Sequence, residues 1–149
     1  MILTGVVARY FDAWNDRDPV ACGACFAPDG VREWRVLAPP HIGGRPFPRF
    51  VGPEAIGQRI AEFMASVPDL ELDMSALSAG SDDRIWTEWR VRGTHALDLG
   101  PWSARGEPLD YLGVSIFRVG DRGIEEEIVY WDTLLMLGSR TNAVAAYSA

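Results

Sequence analysis

"GIEEEIVYWDTLLML" (residues 123–137) is the stretch on which the fold reading turns. It opens on a glycine, runs through β-branched and aromatic residues interleaved with carboxylates, and passes Asp132 into an apolar run. The strand period of two puts Ile124, Glu126, Ile128, Tyr130 and Asp132 on one face, against Glu125, Glu127, Val129 and Trp131 on the other. Ile124 and Ile128 suggest that the first face is interior, so Asp132 is expected to point inward at the strand's end; Trp131, a large aromatic on the opposite face, leaves this open. The run Glu125 to Glu127 reads as a solvated strand with one inward member. An unpaired carboxylate at the edge of a core is costly, and the usual response is a raised pKa. Asp132 is therefore either a cap or turn residue or an acid/base group.

Working back from this strand, the chain offers three more of the same kind, "LELDMSALSAG" (70–80), "RIWTEWRVRGTHALDL" (84–99) and "EPLDYLGVSIFRVG" (107–120), separated by short turn-forming segments. Short connections favour antiparallel neighbours. Before them lies the clearest helix, "GPEAIGQRIAEFMASVP" (52–68), with Pro53 at its first position, Glu54 in the first turn, and Ile56, Ile60, Phe63, Met64 and Val67 at helical spacing. "LTGVVARYFDAWN" (3–15) has Val6, Val7, Tyr10, Phe11 and Trp14 on one helical face. "DRDPVACGACF" (16–26) reads as a second, short helix capped by Asp18. After the turn "APDG" (27–30), "VREWRVL" (31–37) alternates as a strand. "APPHIGGRPFPRF" (38–50), thick with Pro and Gly, reads as irregular and as a candidate lid.

Helices followed by a strand meander imply a single α+β domain over residues 1–149, in which the helices close one face of a curved antiparallel sheet around one apolar pocket. In "LGVSIF", Leu112, Val114 and Ile116 share one face and Gly113, Ser115 and Phe117 the other. If the first set faces away from the helices it needs cover from a second copy, which points to a homodimer.

Composition narrows the partners. The net charge of -7 disfavours a nucleic-acid role, which needs a basic face. No run approaches the roughly 20 apolar residues of a membrane span and no basic leader is present, so a soluble, cytoplasmic protein without a membrane partner is expected. The lone "CGAC" of Cys22 and Cys25 falls inside the short helix and reads as two small packed residues rather than a redox pair. With two His in the chain, no metal site is expected.

The second chemical candidate is His95. Ile85, Thr87, Trp89, Val91, Gly93 and His95 form the apolar face of their strand, with His95 at its end. An imidazole and a carboxylate converging on an apolar cavity could share proton transfer near neutral pH. Packing is the plainer role for each, and aromatics such as Tyr10, Trp14, Trp89 and Tyr130 are usually core, although Tyr and Trp often bring a polar atom to a pocket wall.

Residues 92–138 resemble the SnoaL-like polyketide cyclases of the NTF2-like superfamily, through Gly93, Thr94, His95, Gly106, Phe117, Arg118, Gly123, Ile124, Glu126, Trp131, Asp132, Leu137 and Gly138. The resemblance implies an NTF2-like cone and cofactor-free acid/base chemistry on a hydrophobic polyketide-type or cyclic carbonyl compound, as an intramolecular aldol cyclase. Asp132 would be the acid/base residue and His95 its helper, with Tyr10, Trp14, His41, Phe63, Trp89 and Tyr130 as substrate-contacting residues. Ala96, Leu97, Ile128 and Met136 depart from the family pattern and make the site more apolar. The fold also hosts ketosteroid-isomerase-like isomerases, dehydratases, epoxide hydrolases and non-catalytic binding modules, so these remain alternatives, the isomerase and epoxide-opening readings with Glu126 paired to Asp132.

Overall fold

A computed structural model describes residues 2–35, 48–80, 82–98 and 104–131, with side chains of the first helix from Gly5 onward. The elements run α1 (Ile2–Asn15), α2 (Pro19–Ala24), β1 (Phe26–Trp34), β2 (Arg49–Val51), α3 (Pro53–Ser66), β3 (Glu71–Ala79), β4 (Arg84–Thr94), β5 (Pro108–Gly120) and β6 (Gly123–Trp131). The six strands form one sheet in the order β2-β1-β6-β5-β4-β3. All neighbours are antiparallel except β1 and β6, which run parallel. Parallel pairing needs a long crossover, and here α3 and the whole β3–β5 meander lie between the two strands in the chain. The sheet is thus mixed where the turn lengths suggested a purely antiparallel one.

The helices form where their ends and faces dictate. Asp18 accepts from the Ala21 amide at 2.9 Å and Pro19 occupies the first turn, which starts α2. α3 starts on Pro53 after Gly52, without a side-chain cap and with Glu54 in its first turn, and buries Ile56, Ile60 and Met64. α1 buries Val6, Val7, Tyr10, Phe11 and Trp14, the stripe its spacing predicts. Tyr10 is the centre of that stripe: its ring meets those of Phe11, Trp14, Phe26 and Phe117 edge-on, with centroids at 5.9, 6.3, 5.4 and 5.9 Å.

Two sequence expectations are corrected at the other end of the sheet. "APDG" is not a turn before a strand, because β1 already begins at Phe26 and passes through it with a register irregularity between Phe26 and Val31. Arg49 and Phe50, read as part of an irregular segment, lie in β2, where they pair with Glu33 and Arg32. The lid reading and His41 concern residues outside the described set.

On β4, Ile85, Thr87, Trp89 and Val91 are buried, as is His95 directly after its end, as alternation predicts. On β5, Ser115 and Phe117 point inward while Leu112 is 47% exposed. Trp86 and Tyr130 are likewise exposed, so the side of the sheet away from the helices carries apolar surface. One glycine sets the geometry between these strands. A Cβ on Gly113 would lie 2.2 Å from Cη2 of Trp89 and 2.7 Å from the Tyr130 carbonyl oxygen. The missing side chain is the space into which the Trp89 ring lies across its cross-strand partner.

Gly113→Ala is expected to destabilise the protein by about 1–3 kcal/mol, the usual cost of overpacking a tight core. Urea unfolding of the two proteins measures it; equal midpoints would show that Trp89 does not rest on Gly113.

Candidate functional site

β6 carries the main departure from the sequence reading. Val119 pairs with Ile124 but Arg118 with Glu126, so β6 holds one extra residue at that point. Such a bulge shifts the alternation, and past it the inward residues are Glu127 and Val129, 2% and 1% exposed. Ile128 is buried on the outer face, opposite Ile116, which is why it misled the period count. Tyr130 is 40% exposed and lines a shallow outer depression with Glu88, Leu112 and Val114, so it does not contact the interior as expected. Asp132 follows the last described residue of β6 and lies outside the described set, as does His41.

The inward member of the glutamate run is the hub of a buried polar network. Oε2 of Glu127 accepts from the Tyr10 hydroxyl at 2.8 Å and from Nε of Arg32 at 2.8 Å. Oε1 accepts from the Ser115 hydroxyl at 2.8 Å, and Ser115 in turn accepts from the Trp89 indole N–H at 3.0 Å. Arg32 is 8% exposed, so both charges of the pair are withdrawn from water. Burial pushes the Tyr10 hydroxyl well above its usual range, with Arg32 pulling it down and Glu127 pushing it up, so the phenol stays protonated and donates. Sequence reasoning anticipated one inward glutamate and found Tyr10 and Trp89, but missed Arg32, Ser115 and their convergence. The available signal was that Arg32 shares its strand face with Trp34, two residues on.

Above this network lies a set of aromatic rings. The Arg32 guanidinium carbon stands 5.7 Å from the Trp14 ring centre and 5.9 Å from that of Trp34. Trp34 meets Phe50 and Trp131 edge-on at 5.3 Å each, and Trp14 meets Phe63 at 6.0 Å. Trp14, Phe63 and Trp89, expected as contact residues, therefore gather with Tyr10 around one interior region. Trp34 and Trp131 join them and were not anticipated as contacts, and Phe50, which the lid reading included, lies with them.

His95 is elsewhere. Its amide donates to the Glu107 carbonyl at 2.9 Å and its carbonyl accepts from Gly106 at 2.7 Å, closing the start of the β4–β5 connection. From Thr87, paired with Ser115, His95 is eight residues on, just past the end of β4, about 26 Å of extended chain at about 3.3 Å per residue. His95 is 2% exposed, as the apolar-face reading requires, but it does not belong to the Glu127 network. The cysteines sit in and beside α2 as free, buried thiols. Burial, with Cys25 beside it, pushes the Cys22 thiol up to about 12, the opposite of a redox-active thiolate. Among the described residues no group of His, Cys, Asp and Glu could hold a metal ion, and no helix is long and apolar enough to cross a membrane.

A family model described as a SnoaL-like domain matches residues 7–129. The chain belongs to the SnoaL-like domain family. Solved structures agree on the NTF2-like, ketosteroid-isomerase-like fold. A protein with a ketosteroid isomerase-like fold from Catenulispora acidiphila, in complex with trimethylamine, aligns at TM-score 0.70 and 18% identity, covering 88% of each chain. A candidate polyketide cyclase from Xanthomonas campestris aligns at 0.67 and 24% identity, covering 88% of this chain and 90% of its own. A candidate SnoaL-like polyketide cyclase from a Jannaschia species aligns at 0.69 and 18%, covering 92% of both. No curated protein matches this chain in sequence. In this SnoaL-like domain the Glu127 network occupies the interior that the sheet and helices enclose.

Two outcomes test the network. Glu127→Ala leaves Arg32 buried without its counter-ion and is expected to cost about 3–5 kcal/mol in urea unfolding; a loss under about 1 kcal/mol would contradict a buried pair. The second is alkaline. Burial raises Tyr111 as well as Tyr10 and Cys22, so the folded state holds protons that the unfolded chain releases. That stabilisation is complete below pH 9.0, the ordinary thiol value, and declines as pH rises toward about 12 for Cys22. The chain contains Arg but no Lys, which removes the other common titration in this window. Unfolding midpoints should fall steadily from pH 9 to 11, less so in Cys22→Ala; a flat profile would contradict the burial of these groups.

Proposed function

We propose that this SnoaL-like domain is a cofactor-independent acid/base enzyme acting on a hydrophobic polyketide-type or cyclic carbonyl compound, with intramolecular aldol closure as its reaction. The observation that carries the proposal is the buried Arg32–Glu127 pair beneath an aromatic-walled interior, on the strand that leads into Asp132. Glu127 is fully engaged by Tyr10, Arg32 and Ser115, which makes it a holder of Arg32 and Tyr10 rather than a free base. Asp132 then takes the base role. It removes a proton from the carbon beside a carbonyl; the resulting enolate carbon attacks a second carbonyl of the same molecule, forming the ring bond; and the alkoxide so formed takes the proton back from Asp132. Trp14, Phe63 and Trp89 would pack against the apolar body of the substrate. His95 enters this scheme as a structural residue of the β4–β5 connection.

The engaged state of Glu127 also favours a second reading, a binding module whose interior charges are purely structural. Proton exchange separates the two readings without knowledge of the natural substrate. In deuterium oxide, NMR of a panel of aromatic β-ketoesters and cyclic ketones is expected to show protein-accelerated exchange beside the carbonyl, reduced by about 10²- to 10⁴-fold in Asp132→Asn with folding unchanged. A fully active Asn variant would overturn the role of Asp132. Binding of panel members without any acceleration of exchange would favour the binding module.

A further inference from the structure

The interior region above Glu127 is made of donors. The indole N–H groups of Trp34 and Trp131 are both buried, and neither has a hydrogen-bond acceptor among the described residues. Their rings lie in contact, centroids 5.3 Å apart at 77°. Two guanidinium groups approach the same Trp34 ring, Arg59 at 4.7 Å and Arg32 at 5.9 Å from its centre. Arg59 is held there by Glu62 on α3 and stacks on Phe50 at 5.8 Å as well.

An indole N–H and a guanidinium donate and never accept. A buried donor without an acceptor costs about 1–3 kcal/mol. Two such donors on contacting rings, with two cations against one of those rings, leave donors in want of an acceptor. The surrounding side chains, Trp14, Phe50 and Phe63, are flat and apolar. In a protein with net charge -7, Arg32 is buried against these rings and Arg59, 40% exposed, stacks on them from the α3 side.

We propose that Trp34, Trp131, Arg32 and Arg59 form a binding site for a planar anionic oxygen group, a carboxylate or the enolate of a β-dicarbonyl, carried on a flat apolar body. The carboxylate or enolate oxygen accepts from the indole N–H groups within the field of the guanidinium pair, and the body lies among the aromatic rings. The proposal names a ligand class for the region of the proposed enzyme, but it concerns binding and stands without turnover.

The test uses the full chain and three probes of one shape: 2-naphthoate, 2-naphthamide, and the enolate of 2-acetyl-1-tetralone. Calorimetry is expected to give at least tenfold tighter binding of one or both anions than of the neutral amide, and the stronger of the two anions identifies the oxygen group. In ¹⁵N-indole spectra, where the chain's six Trp give six signals, the anion should move the Trp34 and Trp131 resonances most. Trp34→Phe and Trp131→Phe assign these signals and should each erase most of the preference for the anion while retaining binding of 2-naphthamide. Equal affinity for the anions and the amide, no binding of any probe, or shifts confined to other indoles would overturn the proposal. An anion preference carried by Trp34 and Trp131 without any acceleration of proton exchange by the native chain would count against the proposed enzyme and leave this site standing, so the two failures remain distinct.

Discussion

The ion pair of Arg32 and Glu127 is the constraint around which the molecule is arranged. Two opposite charges removed from water are tolerated only when their geometry is good and their remaining hydrogen-bonding capacity is used. The protein meets this demand with one donor from each of three elements: Arg32 from β1, Tyr10 from α1 and Ser115 from β5, all at 2.8 Å from Glu127 on β6. Trp89 on β4 extends the chain by one more bond. The pair therefore fixes the register between the parallel strands β1 and β6, the seating of α1 on the sheet, and the bulge that turns Glu127 inward. The need for Gly113 follows from the same arrangement, since the Trp89 ring that reaches Ser115 lies across that position.

A hub of this kind also shapes what the interior can recognise. Glu127 consumes the inner edge of Arg32 and leaves the guanidinium stacked between Trp14 and Trp34, at the boundary between the polar floor and the aromatic region above. The floor is complete within itself, whereas the region above it holds indole donors with no protein acceptor among the described residues. Stability and recognition are thus assigned to adjacent layers, with Arg32 belonging to both. This division is consistent with proton transfer being carried by a group outside the floor, the role given above to Asp132.

Much of the fold was legible because it rests on local rules. Pro19 and Pro53 at helix starts, the Asp18 cap, the α1 stripe and the alternation of β4 are written in short windows, and each appears in the structure. The site was legible only in parts. Tyr10, Trp14, Phe63 and Trp89 follow from periodicity, but the facing of β6 was misread because a bulge of one residue reverses alternation without leaving a mark in composition. Burial of Ile128 on the outer face reinforced the error. Arg32 was passed over because a charged residue in an alternating strand reads as solvated, and only the long-range pairing of β1 with β6 brings it to Glu127. His95 was placed correctly on its face, but distance along the strand, which alternation ignores, separates it from the network.

The central claim is that Arg32 and Glu127 are held in the core by each other. A double-mutant cycle of Arg32→Met and Glu127→Gln in urea unfolding addresses it most directly. Each single change strands one buried charge, whereas the double variant leaves a neutral interior in which Gln still offers an acceptor to Tyr10 and Ser115. The account predicts a double variant more stable than the sum of the single losses by about 2–3 kcal/mol. Losses that add to within about 0.5 kcal/mol would show that the two side chains do not depend on one another, and would contradict the arrangement described for the site.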